Sequence, residues 1–213
     1  GRSLESWREE KAQVVGSLRP LTAGNAVFGQ YEGYREIDGV APDSNVETYA
    51  AIRLACDSWR WADVPIAIRA GKRLPVTATD VTVQFRRPPY DPIGLSEPAP
   101  MNRLRFRIWP DTAVALTVAG KKPGPDWQPE AQELSFNQAP GLDTRPYDRL
   151  IAAALTGEQW LFAKQGTVEA AWAVVDPILT GEVPVHSYEP DSWGPPQAAA
   201  LVPSDTGWIA PVV

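Results

Sequence analysis

The chain has 213 residues, a formal charge of −6, one cysteine and one histidine. That length allows one large domain or two small ones. Its acidity argues against a nucleic-acid surface, and Cys56 with His186 is too small a donor set for an ordinary zinc site. No apolar run approaches the length of a membrane-spanning helix, and no signal peptide is legible. A lone cysteine fits a reducing cytosol, so a cytoplasmic protein is expected.

In chain order, residues 3–15 read as a charged surface helix with Ser3 and Ser6 as possible caps, followed by a loop over 17–25. Residues 26–34, with two glycines, read as a strand, and 38–43 as a connector. Ser44 and Glu47 have the spacing of a capping box, and Ile52, Ala55, Cys56 and Trp59 follow at helical spacing. This predicts a capped helix over 44–59, with Cys56 as a small buried hydrophobe. Pro65 closes a corner. Ile66, Ile68 and Ala70 alternate with Ala67 and Arg69 as in a strand, which runs out at Gly71-Lys72-Arg73. Lys72 therefore falls where a rigid element becomes a loop, a place that commonly carries function.

Beyond residue 75 the pattern is β-rich. Val81, Val83 and Phe85 alternate with Thr82, Gln84 and Arg86, and a proline-rich excursion spans 88–100. Leu104, Phe106 and Ile108 alternate with Arg105, Arg107 and Trp109. Val114, Leu116 and Val118 mark a further strand, closed by a glycine- and lysine-rich turn at 120–124, and Leu134 with Phe136 marks another. Neighbouring runs separated by turns predict antiparallel pairing. One face of that sheet is aliphatic and the other is mixed and partly basic. Helical stripes return with Tyr147, Leu150, Ile151, Ala154 and Leu155, which Gly157 ends, and with Val168, Ala171, Trp172 and Val175. The tail from His186 onward looks irregular. The expected class is α+β: a large, mainly antiparallel sheet with helices on its aliphatic face and the other face available for dimerisation. No G-x-G-x-x-G follows a strand, so no dinucleotide fingerprint is present.

The segment WRWADVPIAIRAGKRLP resembles the W-x-G-V-P-F-x-x-R-x-G-K-x-L stretch of the glucose-6-phosphate dehydrogenase C-terminal domain. DSNVETYAAIRL, RIWPD, GKKPG, PYDRLIAAALTGEQWLF, EAAWAVVDPIL and SWGP extend the resemblance, in order, over nearly the whole chain. It implies one C-terminal domain over 1–213, belonging to an enzyme that oxidises glucose 6-phosphate with NADP. It also implies a homodimer formed through the sheet. No catalytic residue is expected in this chain: His186 does not match the family's catalytic histidine, and the NADP-binding half would precede residue 1. The fragment alone is then expected to be inactive and to carry no cofactor.

Among substrate-binding positions, Lys72 matches the family's G-K lysine, whose ammonium suits phosphate or hydroxyl oxygens. Read alone, Lys72 is an ordinary exposed lysine. Two positions near the substrate depart from the family: Thr77, where some members are basic, and Trp109, where glutamine is frequent. Trp109 either stacks on the sugar or packs. Arg69 and Arg107 match two contacts of a second, structural NADP known in some members. Ala78, Thr82, Ala115 and Trp193 replace its basic or phenolic groups, so that site is not expected; a basic strand face paired with carboxylates is the expectation for the two arginines. A free-standing, non-catalytic self-association or docking module is the alternative.

Overall fold

The structure, a computed structural model, describes residues 4–87, 99–138, 146–179, 181 and 183–211. In chain order they form α1 (Leu4–Gly16), β1 (Ala26–Tyr31), β2 (Tyr49–Leu54), β3 (Ile66–Gly71), β4 (Thr79–Gln84), β5 (Arg103–Trp109), β6 (Ala113–Lys121), β7 (Pro129–Asn137), α2 (Pro146–Leu155), α3 (Gln165–Val175) and β8 (Val185–Tyr188). Short 3-10 helices lie at Asp176–Ile178 and Pro196–Leu201. The α+β class holds, but the strands divide into two four-stranded sheets rather than one large one, β3-β2-β1-β8 and β4-β5-β6-β7. The backbone separates correspondingly into two compact units, residues 1–75 with 144–208 and residues 76–143 with 209–213. Ser3 and most of the proline-rich excursion lie outside the described residues.

In the first unit both sheet faces are covered. Ala26, Phe28 and Leu54 pack with Val174 and Ile178, so α3 and the following 3-10 turn close one face. Tyr49, Ala51 and Tyr188 pack with Ala198 and Leu201 on the other. Three of the strands pair antiparallel, while β8 joins β1 in parallel.

That double coverage explains the largest departure from the sequence-based expectation. Residues 44–59 are not a capped helix. Tyr49–Leu54 is the strand β2, between β1 and β3. A strand buried on both faces needs apolar residues at successive positions and loses its period of two. Ser44 does not cap; its Oγ accepts the Val46 N–H at 3.3 Å. Cys56 is buried as expected, but in an isolated bridge to Leu18, with Ser17 Oγ 3.1 Å and Ser58 Oγ 3.3 Å from its sulfur. Trp59, expected on an apolar helix face, is fully exposed in a turn. The tail is also more regular than its pattern suggests. It contains β8 and the 3-10 helix, and Tyr188, Ala198 and Leu201 are buried.

The second unit is a four-stranded antiparallel meander whose cross-strand registers build two unlike faces. Val81, Phe106, Val114 and Phe136 stand in one row, and Val83, Leu104, Leu116 and Leu134 in the next. Asp80, Arg107, Ala113 and Asn137 form a row on the opposite face, beside Thr82, Arg105, Ala115 and Ser135. The aliphatic face was expected to lie under helices. It is instead the exposed one, with Leu134 67% and Phe136 69% exposed, whereas Ala113 and Ala115 on the polar face are buried. Alternation defines two faces but does not say which of them will be the exposed one.

Candidate functional site

Lys72 is the first residue beyond β3 and its side chain is exposed. Gly71 before it pairs with Tyr49, and a side chain there would meet Tyr49 Cδ2 at 2.8 Å, so the strand must end on glycine for Tyr49 to fit beneath it. Both backbone polar groups of Lys72 are engaged. Its N–H donates to the Thr48 carbonyl at 2.8 Å, and its own carbonyl accepts the Tyr188 hydroxyl at 2.7 Å. Arg73 follows in the left-handed region, at φ 53°, and its carbonyl accepts the Asp191 N–H at 2.7 Å. The lysine thus projects from a turn fixed on both sides. The arrangement offers an exposed positive charge on a held stretch of backbone, which suits an anionic or hydroxyl-rich ligand.

Arg69 lies on β3 three residues before Lys72, on the same face as Tyr49. Its guanidinium stacks 4.4 Å from the Trp193 ring centre and 4.9 Å from that of Trp208, and the Trp208 indole is held by a 2.8 Å bond to the Ala198 carbonyl. This is a cation–π pair of contacts within a packed surface. Burial lowers the Arg69 pKa, opposed by neighbouring Tyr49. Burial pushes the Tyr49 phenol up to about 12, opposed by the Arg69 charge.

Arg107, Trp109 and Thr77 belong to the second unit. Arg107 forms a 2.6 Å ion pair with Asp111 and also donates from Nε to the Asp111 carbonyl at 3.3 Å. Arg105 Nε stands 3.7 Å from Asp80, whose side chain is 7% exposed. Both Asp80 oxygens are buried without a hydrogen bond that meets ordinary geometry, and burial raises its pKa, with Arg105 opposing. Arg105 and Arg107 line a shallow groove floored by Ala113 and Ala115. Trp109 closes β5 opposite Thr79 and is about half exposed, and Thr77 is exposed before β4. His186 sits in β8 opposite Gly29. Among the described residues no cluster of His, Cys, Asp or Glu could hold a metal ion, and no helix is long and apolar enough to cross a membrane.

The sequence singles out Lys72 as a candidate but gives no sign of Thr48, Tyr49 and Tyr188, the residues that hold its turn. Tyr188 lies in a tail without periodicity, and nothing local marks it.

The sequence profile of the family described as "Glucose-6-phosphate dehydrogenase, C-terminal domain" matches residues 2–209. The glucose-6-phosphate 1-dehydrogenase 1 of Mycobacterium tuberculosis is 39% identical over 212 residues, covering 99% of this chain and 45% of its own length. The glucose-6-phosphate 1-dehydrogenase of Aggregatibacter actinomycetemcomitans is 37% identical over 220 residues, covering 94% of this chain and 44% of its own. The chain therefore spans about 45% of the length of such relatives. Among solved structures, the glucose-6-phosphate 1-dehydrogenase of Mycobacterium avium superposes with a TM-score of 0.90 at 36% identity, over 100% of this chain and 46% of that one. A glucose-6-phosphate dehydrogenase in complex with its substrate glucose-6-phosphate superposes with a TM-score of 0.83 at 27% identity, over 100% of this chain and 46% of that one.

Proposed function

The chain belongs to the glucose-6-phosphate dehydrogenase family as its C-terminal domain, and on that premise we propose that it supplies substrate-binding groups to an intact cytoplasmic enzyme that oxidises glucose 6-phosphate to its lactone with NADP. The observation that carries the proposal is Lys72, an exposed ammonium on a turn whose backbone is held by Thr48 and Tyr188. Its ammonium matches the phosphate or hydroxyl oxygens of a sugar phosphate. Thr77 offers a single hydroxyl, and Trp109 one N–H and a flat apolar face, fewer polar groups than the family resemblance suggests at those two positions.

The chemistry needs two further parts, a hydride acceptor and a base for the sugar hydroxyl. NADP supplies the first when bound, and we place both its site and the base in the part of the enzyme outside this chain. The residues of this chain that match second-NADP contacts do not fit that group. Arg107 is occupied by Asp111, Arg69 is stacked between two indoles, and Ala78, Thr82 and Ala115 add no cationic donors for phosphate groups. The named relatives are dehydrogenases, which does not favour a free-standing docking module.

The test is Lys72→Ala in the intact enzyme. We expect kcat/KM for glucose 6-phosphate to fall by at least about tenfold, the loss of one charge-assisted contact, with KM for NADP unchanged. An unchanged kcat/KM would remove Lys72 from the substrate site. The isolated chain should not reduce NADP above a buffer blank.

A further inference from the structure

We infer that Tyr188 is a positioning residue for substrate binding, its hydroxyl holding the Lys72 peptide so that the ammonium is presented in one place. The inference rests on the reading of Lys72 given above. Tyr188 ends β8 and is 3% exposed, so its ring is fixed by packing. Its hydroxyl donates to the Lys72 carbonyl at 2.7 Å, the shortest contact that it makes. The Thr48 hydroxyl lies 3.2 Å away and the Thr48 carbonyl 3.4 Å away. Thr48 therefore meets both ends of the clamp, because its carbonyl also accepts the Lys72 N–H.

The residues flanking Lys72 explain why such a clamp matters. Gly71 has no Cβ and restrains its torsions weakly. Arg73 occupies the left-handed region, at φ 53°, which a side chain rarely adopts unless surrounding bonds impose it. The Lys72 peptide is thus set by its hydrogen bonds rather than by its neighbours' own preferences. With the phenol proton withdrawn, the carbonyl can swing and carry the Cα–Cβ direction with it. The ammonium lies four methylenes beyond that point, so a small rotation at the backbone becomes a large displacement at the charge. Misplacement of a binding group weakens contact without removing any substrate-touching atom. Burial also raises the Tyr188 pKa above that of an ordinary phenol, so the proton stays on the hydroxyl well beyond neutral pH.

The experiment compares four forms of the intact enzyme: parent, Tyr188→Phe, Lys72→Ala and the double variant. Phenylalanine keeps the ring and removes only the donor. In Tyr188→Phe, KM for glucose 6-phosphate should rise about fivefold, the factor equivalent to one net hydrogen bond. KM for NADP and kcat should stay within about twofold, as expected for loss of binding alone. In the Lys72→Ala background, Tyr188→Phe should add nothing, because the two act through one ammonium. A lower melting temperature with unchanged KM would overturn the inference and leave Tyr188 a structural residue. An equal KM rise with and without Lys72 would overturn it too. If Lys72→Ala alone leaves KM unchanged, the Lys72 reading fails and this inference with it; if Lys72→Ala raises KM and Tyr188→Phe does not, only this inference fails. Should Tyr188→Phe not fold, Thr48→Ala removes the hydroxyl that orients the phenol, and an unchanged KM in that variant would overturn the inference equally.

Discussion

Gly194 lies directly over the ring of Tyr49: a Cβ built at Gly194 would overlap Tyr49 Cε2. Gly194 also has φ 92°, a conformation that side chains rarely adopt. The glycine of the SWGP motif therefore serves the packing of a fully buried tyrosine beneath the Lys72 turn. Gly194→Ala combines backbone strain with a steric clash in the core, and it should destabilise the protein by about 3 kcal/mol or more. Denaturant unfolding of the two forms checks this. A loss below about 1 kcal/mol would mean that Tyr49 can move aside at little cost.

Asp80 gives a pH-dependent prediction. Burial raises its pKa in the folded state above the ordinary value of 3.8. The folded chain therefore holds that proton more tightly than the unfolded chain does. The sign follows: Asp80 imposes no penalty at pH below 3.8, and stability falls as pH rises through the folded-state pKa. Asp80→Asn should then be more stable than the parent at pH 7, by on the order of 1 kcal/mol, with the gain shrinking as pH approaches 4. Melting temperatures of both forms across pH 4–8 provide the measurement. Equal stability at pH 7 would show that Arg105, 3.7 Å away, fully offsets the burial.

The exposed apolar face of the second sheet is the surface through which we expect two copies to associate. Phe136 and Leu134 are more than two-thirds exposed and stand in rows with Phe106, Val114 and Leu116. A patch of this kind is uncommon on a monomer. Meeting its own copy would place like surface against like surface, with at least about 1,000 Å² buried in total. Light scattering of the intact enzyme at micromolar concentration should give twice the chain mass, and Leu134→Glu with Phe136→Lys should halve it. A monomeric parent, or an undiminished mass in the variant, would rule this face out.

What the sequence alone determined differs between the two units, and the reason is physical. Residues 79–137 were readable as antiparallel strands because hairpin neighbours are close in sequence and the alternation of Val81, Thr82 and Val83 survives where only one face is apolar. The helices at 146–155 and 165–175 were readable from their apolar stripes for the same local reason. Lys72 stands out as a candidate through its motif at a strand end. Tyr49–Leu54 was misread because a strand covered on both faces keeps no period of two, and its apolar spacing then imitates a helix. β8 was invisible because its partner is β1, paired in parallel across most of the chain, and no local signal encodes so distant a neighbour. The Tyr188–Lys72 bond depends on that pairing. Only the closed tertiary structure brings the two residues within 2.7 Å, because contacts this remote in sequence form through the packing of whole elements and leave no mark on the residues beside them.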